Sequence, residues 1–263
     1  INTNFESEND FLFNINNKFK VKNLIINSNI LIDSSQFKKN NLISEKFIEI
    51  NELIDLKNHK IKASYANKKL SIEGKGQIKL QNKFEIINYK IINNGPDLNL
   101  VSNIELSELD IKNQNLIKEY LPKTKDILNL KDHKIRASYA NKKLKIEGKG
   151  QVKLQNKFEF IDYDVAHSGS DLNLVSNIEL SELDIKNQNL IKEYLPKTKN
   201  ILNLKDHKIK LQYKNSNLSV EGLGKISLDK EFSKINYTFS KKNKKYNFET
   251  DLEINDTPIK IDF

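Results

Sequence analysis

The chain has no cysteine, no methionine and no tryptophan, and Arg136 is the only arginine among 44 basic residues. The missing cysteines remove disulfides, thiolate metal sites and cysteine nucleophiles together. They leave the compartment open, because a cysteine-free chain suits an oxidising space and a reducing one equally. No apolar run approaches the ~20 residues that a membrane-spanning helix needs. A chain that starts at Ile1 with no methionine reads as a piece of a longer one, whose leader or anchor would lie upstream. The near-absence of arginine weighs against nucleic acid as a partner despite a net charge of +9. Base and phosphate readers lean on the bidentate guanidinium, and the lysines here alternate with acids instead of forming a block. Apolar residues reach only 37% and charged residues 30%, against a usual apolar share of about 45–50%. This is a soluble, surface-rich composition.

What the chain does have is repetition. Asp55-Leu56-Lys57-Asn58-His59-Lys60-Ile61 returns from Asn129 to Ile135 and again from Asn203 to Ile209, a step of 74 residues each time. Asp97–Lys125 and Asp171–Lys199 are identical throughout. Asn29-Ile30, Leu42-Ile43 and Phe47 sit 74 before Asn103-Ile104, Leu116-Ile117 and Leu121. The organisation is therefore a partial repeat over 1–54, full repeats over 55–128 and 129–202, and a partial repeat over 203–263. Wholesale duplication suits a structural array, in which each unit contacts its neighbours, better than a single catalytic constellation.

Within a unit the period is two. Leu70, Ile72, Gly74, Gly76, Ile78 and Leu80 alternate with Lys69, Ser71, Glu73, Lys75, Gln77 and Lys79, the signature of a strand with one dry and one wet face. Leu98, Leu100, Ile104 and Leu106 repeat the pattern, and Ile61, Ala63 and Tyr65 form a shorter strand. Phe84 and Ile86 start another, whose parity flips at Ile87, Tyr89 and Ile91, predicting a bulge or bend. Asn67-Lys68, Gln81-Asn82 and Asn94-Gly95-Pro96 are turn signals. Over Asn113–Leu121 the spacing of Leu116, Ile117, Tyr120 and Leu121 predicts a short crossover helix ended by Pro122. The expected fold is all-β with short helices. It is an elongated, curved antiparallel sheet of about fifteen strands, with four strands and one helix per repeat.

No chemistry-bearing motif rises above this pattern. His59, His133 and His207 are one unit apart, well over ~10 Å, and so cannot share a metal whose ligands converge at ~2 Å. They read as polar residues at strand entries. Gly74-Lys75-Gly76, Gly148-Lys149-Gly150 and Gly222-Leu223-Gly224 lack the remaining glycines and the helix of a phosphate-binding loop. They read either as a bend in a long strand or as a bare patch open to a ligand. The acid pairs Glu105/Glu108 and Glu179/Glu182 sit on wet positions. Neither a nucleophile elbow nor a zinc-protease motif is present, so no enzyme, metal or cofactor is expected.

The dry face is the strongest signal. Roughly forty strand residues per unit present one apolar side, and a helix of about ten residues cannot cover it, so a second layer or a ligand must. A sandwich and a hydrocarbon groove both satisfy this.

Leu70-Ser71-Ile72-Glu73-Gly74-Lys75-Gly76-Gln77-Ile78 and Asp97-Leu98-Asn99-Leu100…Ile104-Glu105-Leu106 resemble the strands of AsmA-like proteins, the TamB and YhdP type of Gram-negative bacteria. The resemblance covers nearly the whole chain, through the repeated meander and not through a catalytic motif. It implies a bridge-like lipid transfer protein of the periplasm, anchored in the inner membrane through a missing N-terminal segment. Its apolar β-groove would carry phospholipid between inner and outer membranes for envelope biogenesis. The implied partners are phospholipid acyl chains and the two membranes. The lipid-facing candidates are Leu70, Ile72, Ile78, Leu80, Phe84, Leu98, Leu100, Ile104 and Leu106. Their counterparts further on are Leu144, Ile146, Val152, Leu154, Phe158, Leu172, Leu174, Ile178, Leu180, Leu218, Val220, Ile226 and Leu228. A repeat-built surface or adhesive β protein with an internally packed face is the alternative.

Overall fold

The computed structural model describes residues 3–38, 51–112, 123–187, 198–228, 231–242 and 245–253. The alternating segments form fourteen strands among the described residues: β1 (Thr3–Ile15), β2 (Val21–Lys38), β3 (Leu53–Ala66), β4 (Lys69–Lys79), β5 (Phe84–Asn94), β6 (Asp97–Lys112), β7 (Ile127–Ala140), β8 (Lys143–Lys153), β9 (Phe158–Ser168), β10 (Asp171–Lys186), β11 (Ile201–Lys214), β12 (Asn217–Ser227), β13 (Phe232–Lys242) and β14 (Lys245–Leu252). They follow one another in chain order in a single open antiparallel sheet. The all-β expectation holds, and β3–β6 supply the four strands expected of one repeat. The crossover helix expected over 113–121 lies outside the described residues.

The turns explain the meander. Asn67 and Lys68 have φ of 51° and 64°, and Asn141 and Lys142 have 51° and 60°. Two successive left-handed residues make the type I′ hairpin, whose twist matches that of the strands it joins. Gly95 and Gly169 occupy the left-handed first position of the β5–β6 and β9–β10 turns, at φ 65° and 61°, where a side chain would be strained.

Contacts divide the chain into two compact units. The first is Ile1–Leu109, Lys131–Gly148 and Ala166–Ser170; the second is Asp110–Leu130, Lys149–Val165 and Asp171–Phe263.

In the first unit, register assigns the faces. Ile30, Ile61, Gly74, Tyr89 and Ser102 stand side by side across β2–β6, followed by Ala63, Ile72, Ile91 and Leu100, then Ile26, Tyr65, Leu70, Asn93 and Leu98. This is the expected dry face. β3 is not short, and its phase changes: a register shift falls between Lys57 and Lys60, where Asn58 takes φ 54°. The extra residue turns His59 onto the dry face. No such shift interrupts β5, which pairs with β4 continuously from Lys79↔Phe84 to Lys69↔Asn94. The predicted bulge there is absent. Because Ile87, Tyr89 and Ile91 hold the dry face, strict alternation sends Phe84 and Ile86 to the polar one and brings Glu85 opposite Ile78.

The second unit repeats this logic. Ile178, Ile209, Gly222, Tyr237 and Thr250 form the central row, and β11 shifts register between Lys205 and Lys208 with Asp206 at φ 54°. Its core is a cluster of Leu180, Leu183, Leu202, Leu204, Ile226 and Leu228 at one end of the strands, with Leu202 wholly buried.

Candidate apolar track and its boundaries

The lipid-facing candidates separate into four groups. Leu106, Val152, Leu180, Ile226 and Leu228 are buried, and a residue packed in a core is not free to touch a ligand. Ile72, Ile78, Leu80, Leu100, Ile104, Leu144, Ile146, Leu154, Leu174, Ile178, Leu218 and Val220 are half-buried. Leu70, Leu98 and Leu172 are 36%, 41% and 39% exposed.

Phe84 and Phe158 form the fourth group and are corrections. Phe84 lies on the polar face with Lys57 and Lys79 ammonium groups each 5.9 Å from its ring centroid. Phe158 sits one residue before the buried Glu159, with Lys153 at 5.5 Å from its ring. Phe232 repeats the arrangement with Lys205 at 5.5 Å. These are cation–π contacts on a wet surface, and neither predicted phenylalanine faces the track.

In each unit the dry face therefore has two zones. Towards the ends of β3 and β11 that follow the longer connections it is sealed: Ile54, Leu106 and Leu109 are buried in the first unit, and the leucine cluster in the second. Towards the two-residue turns it is open. There the rows Ala63-Ile72-Ile91-Leu100 and Tyr65-Leu70-Leu98 of the first unit remain half-buried to exposed. So do the rows Leu211-Val220-Phe239 and Tyr213-Leu218 of the second.

Histidine and tyrosine mark the border between the zones. His59 is 2% exposed and lies across Gly76; its Nε2–H donates to the Gln77 carbonyl at 2.9 Å. The Tyr89 ring covers Gly74, 6.1 Å from the imidazole. In the second unit His207 covers Gly224 and donates to the Lys225 carbonyl at 2.9 Å, while Tyr237 covers Gly222. The rings stand 6.0 Å apart. The glycines are thus neither a bare patch nor a bend. They are absent side chains into which neighbouring strands lay aromatic ones, a pairing known to support glycine in sheets. Nor are the histidines polar residues at strand entries. Burial lowers the His207 pKa, partly opposed by its backbone hydrogen bond and by Asp206, and pushes the Tyr237 phenol up to about 12. Tyr89 is raised by burial in the same direction.

Two buried carboxylates escaped the sequence reading, which had singled out their exposed neighbours. Glu85 accepts from Ser107 N–H at 2.6 Å and Ser107 Oγ at 2.8 Å. Glu159 does the same with Ser181 at 2.6 and 2.9 Å. Each stands where the next strand changes phase, between Leu106 and Leu109 or between Leu180 and Leu183, and satisfies a backbone N–H that the ladder leaves behind. The polar partner in the sequence was Ser107 or Ser181, next to a leucine pair spaced three apart. By contrast, Glu108 and Glu182 lie on the surface, paired with Lys83 and Lys157 at 2.6 and 2.7 Å.

The polar face carries hollows of its own. One of about 890 Å³ in the second unit runs over Gly222, between the rows Asn177-Lys210-Glu221-Thr238-Glu249 and Glu179-Lys208-Leu223-Asn236-Asp251. One of about 510 Å³ in the first unit is bordered by Lys60, Lys62, Glu73, Lys75, Asn88 and Lys90. Acids and lysines mix along the first, and the second is lysine-rich with one glutamate, Glu73, paired with Lys90, so each is a charged, solvated trough and no acyl site. Among the described residues no three His, Asp or Glu side chains converge on a metal-sized site, and no helix is long and apolar enough to cross a membrane.

No family model, curated protein or solved structure matches this chain.

Proposed function

We propose that this chain is a segment of a non-enzymatic lipid conduit of the AsmA-like kind, working in the periplasm as part of a chain anchored in the inner membrane. Its open apolar track would solvate phospholipid acyl chains passing between inner and outer membranes. The single observation that carries the reading is the half-exposed state of the hairpin half of the dry face. All described strands belong to one sheet, yet Leu70, Leu98 and Leu172 remain more than one-third exposed. Apolar surface left open in a repeating row favours an apolar ligand over an internally packed face.

The test compares two charges. Ile72→Asp places a carboxylate on the open track, and Leu204→Asp places one in the sealed cluster. Ile72 is half-buried, so its loss costs about 1–2 kcal/mol of apolar burial and the sheet stays folded. Leu204 is 7% exposed, and an unpaired charge there costs several kcal/mol. In the full-length parent protein, Ile72→Asp should abolish lipid co-purification, read by mass spectrometry, without loss of folded protein. Equal unfolding by both substitutions would mean a packed face and would favour the structural or adhesive reading.

A further inference from the structure

Among the described residues the two long borders of the sheet carry different charge. In the first unit the β1–β2, β3–β4, β5–β6 and β7–β8 turns lie at one border, the hairpin border, and that border is lysine-rich. Lys18, Lys20 and Lys22 flank the β1–β2 turn, Lys68 and Lys69 the β3–β4 turn, and Lys142 and Lys143 the β7–β8 turn. Against these seven stands Asp97. All seven are exposed, and among the described residues none is held in an ion pair. At the opposite border, among the described residues, most lysines are matched by acids: Lys38 pairs with Glu52, Lys79 with Asp55 and Lys83 with Glu108, while Lys57 lies over the Phe84 ring.

The second unit has the same asymmetry. Lys214, Lys241, Lys242 and Lys245 lie at its hairpin border with Asp171. At the other border Lys123 pairs with Asp184, Lys157 with Glu182 and Lys234 with Glu253.

The lysine border is the one next to the open track, and the neutral border is the one next to the sealed core. Leu70 follows Lys69 directly and Leu98 lies one row in from the turn, both exposed. Phe19, at φ 55° between Lys18 and Lys20, is 90% exposed. Lys69 stands in the row of Ile25 and Ala66, with Lys22 three residues further out, so the two are roughly 14 Å apart and their fields overlap at low salt, where the Debye length reaches about 30 Å.

An apolar row with a cationic rim on one side only complements an amphiphile with an anionic head. We propose that the hairpin border is the headgroup rim of the track, and that it selects lipids with a net-negative phosphate headgroup over zwitterionic and uncharged ones. This rests on the conduit reading and adds to it the class of cargo and its orientation. Acyl chains lie inward on the Ile72 and Leu70 rows, and the phosphate lies at the lysines. The lysine head is a mobile point charge on a flexible stem, so the rim reads charge and not headgroup shape.

The test titrates the 263-residue chain with monomeric dihexanoyl phosphatidylglycerol, dihexanoyl phosphatidylcholine, dioctanoylglycerol and inorganic phosphate. The expected result is tighter binding of the glycerol phospholipid than of the choline one by roughly tenfold at low salt. That gap should close as salt rises. The variant K68E/K69E/K142E/K143E should lose the gap and keep its affinity for dioctanoylglycerol. The neutral set K68Q/K69Q/K142Q/K143Q should lose most of it, which covers the case of a misfolded reversal variant. K38E/K83E, at the opposite border, should retain it. Equal binding of the two phospholipids, or a gap that survives both lysine variants, overturns the rim while the track stands. Phosphate that binds as tightly as the lipid overturns it in favour of a simple anion site. Association with phosphatidylglycerol vesicles but not with monomers overturns it in favour of surface docking. Failure to bind any of the three lipids overturns the conduit reading itself.

Discussion

Replacing Gly76 with alanine should be far more damaging than the same change two residues earlier, although both glycines sit mid-strand on the same face. A Cβ on Gly76 would lie 2.7 Å from the His59 Nε2 and closer still to the ring carbons. His59 is 2% exposed and tied to the Gln77 carbonyl, so it has nowhere to move. Forcing it out costs about 1–3 kcal/mol of overpacking and about 0.5–1.5 kcal/mol for the hydrogen bond. Relief of glycine's backbone entropy returns about 0.5–1 kcal/mol. The net expectation is a loss of about 2 kcal/mol. At Gly74 the obstacle is the far end of the Tyr89 ring, which is half-buried and can swing outward. Gly74→Ala should therefore cost about 1 kcal/mol or less. Urea unfolding followed by circular dichroism gives both values from midpoint shifts at constant slope. The double variant Gly76→Ala/His59→Ala should be less destabilised than the sum of its parts by about 1–2 kcal/mol, because the clash and the hydrogen bond are lost together. Gly76→Ala no worse than Gly74→Ala, together with additivity in the double variant, would refute the plug.

Two further expectations concern buried ionisable groups. Glu159→Gln replaces a charged acceptor of the Ser181 N–H with an amide, and hydrogen bonds to charge contribute roughly 1.5–3 kcal/mol. Stability should fall by about 2 kcal/mol with faster amide exchange at Ser181, whereas Glu182→Gln on the surface should leave both unchanged; equal effects of the two would count against the assignment. His207 has a folded pKa depressed by burial. Its stabilising contribution is therefore present above the unfolded value of about 6.5 and is lost as pH falls below it. Between about pH 6.5 and 5.5 the wild-type chain should lose stability with a slope of at most about 1.4 kcal/mol per pH unit from this group. His207→Asn should be less stable at pH 7.5 but flatter over the same interval. An unchanged slope would show that the imidazole binds its proton equally in both states, and would refute the depressed folded pKa.

Some of the departures from expectation were legible in hindsight. Ile54 and Leu56 share one parity, and Ile61, Ala63 and Tyr65 the other. The change of phase around Asn58 was present in the residues, but a strand taken to begin at Ile61 hid it. Similarly Leu106 and Leu109 are three apart, which no uninterrupted strand permits on one face. The candidate phenylalanines failed for the opposite reason. Phe84 and Ile86 looked like dry-face residues because hydrophobicity was read before parity, yet the aliphatic side of the Lys57 and Lys79 neighbourhood suits an aromatic ring equally well.

The sequence alone determined the repeat, the alternation and the turns, because these are local properties. A period of two needs only the pleat, and a left-handed pair needs only residues such as Asn67-Lys68 that tolerate it. Tertiary structure decided everything that depends on which residue stands opposite which. Gly74 does not encode its cover; Tyr89 reaches it because β4 and β5 pair in one register out of several that the alternation allows. Gly76 is filled by His59 only because β3 carries one extra residue there. The division of the dry face into a sealed core and an open track is likewise invisible along the chain. Leu70 and Leu106 are the same residue type in strands of the same alternating pattern, yet one is exposed and the other buried. Burial, however, is set by the neighbours that the sheet brings to each position.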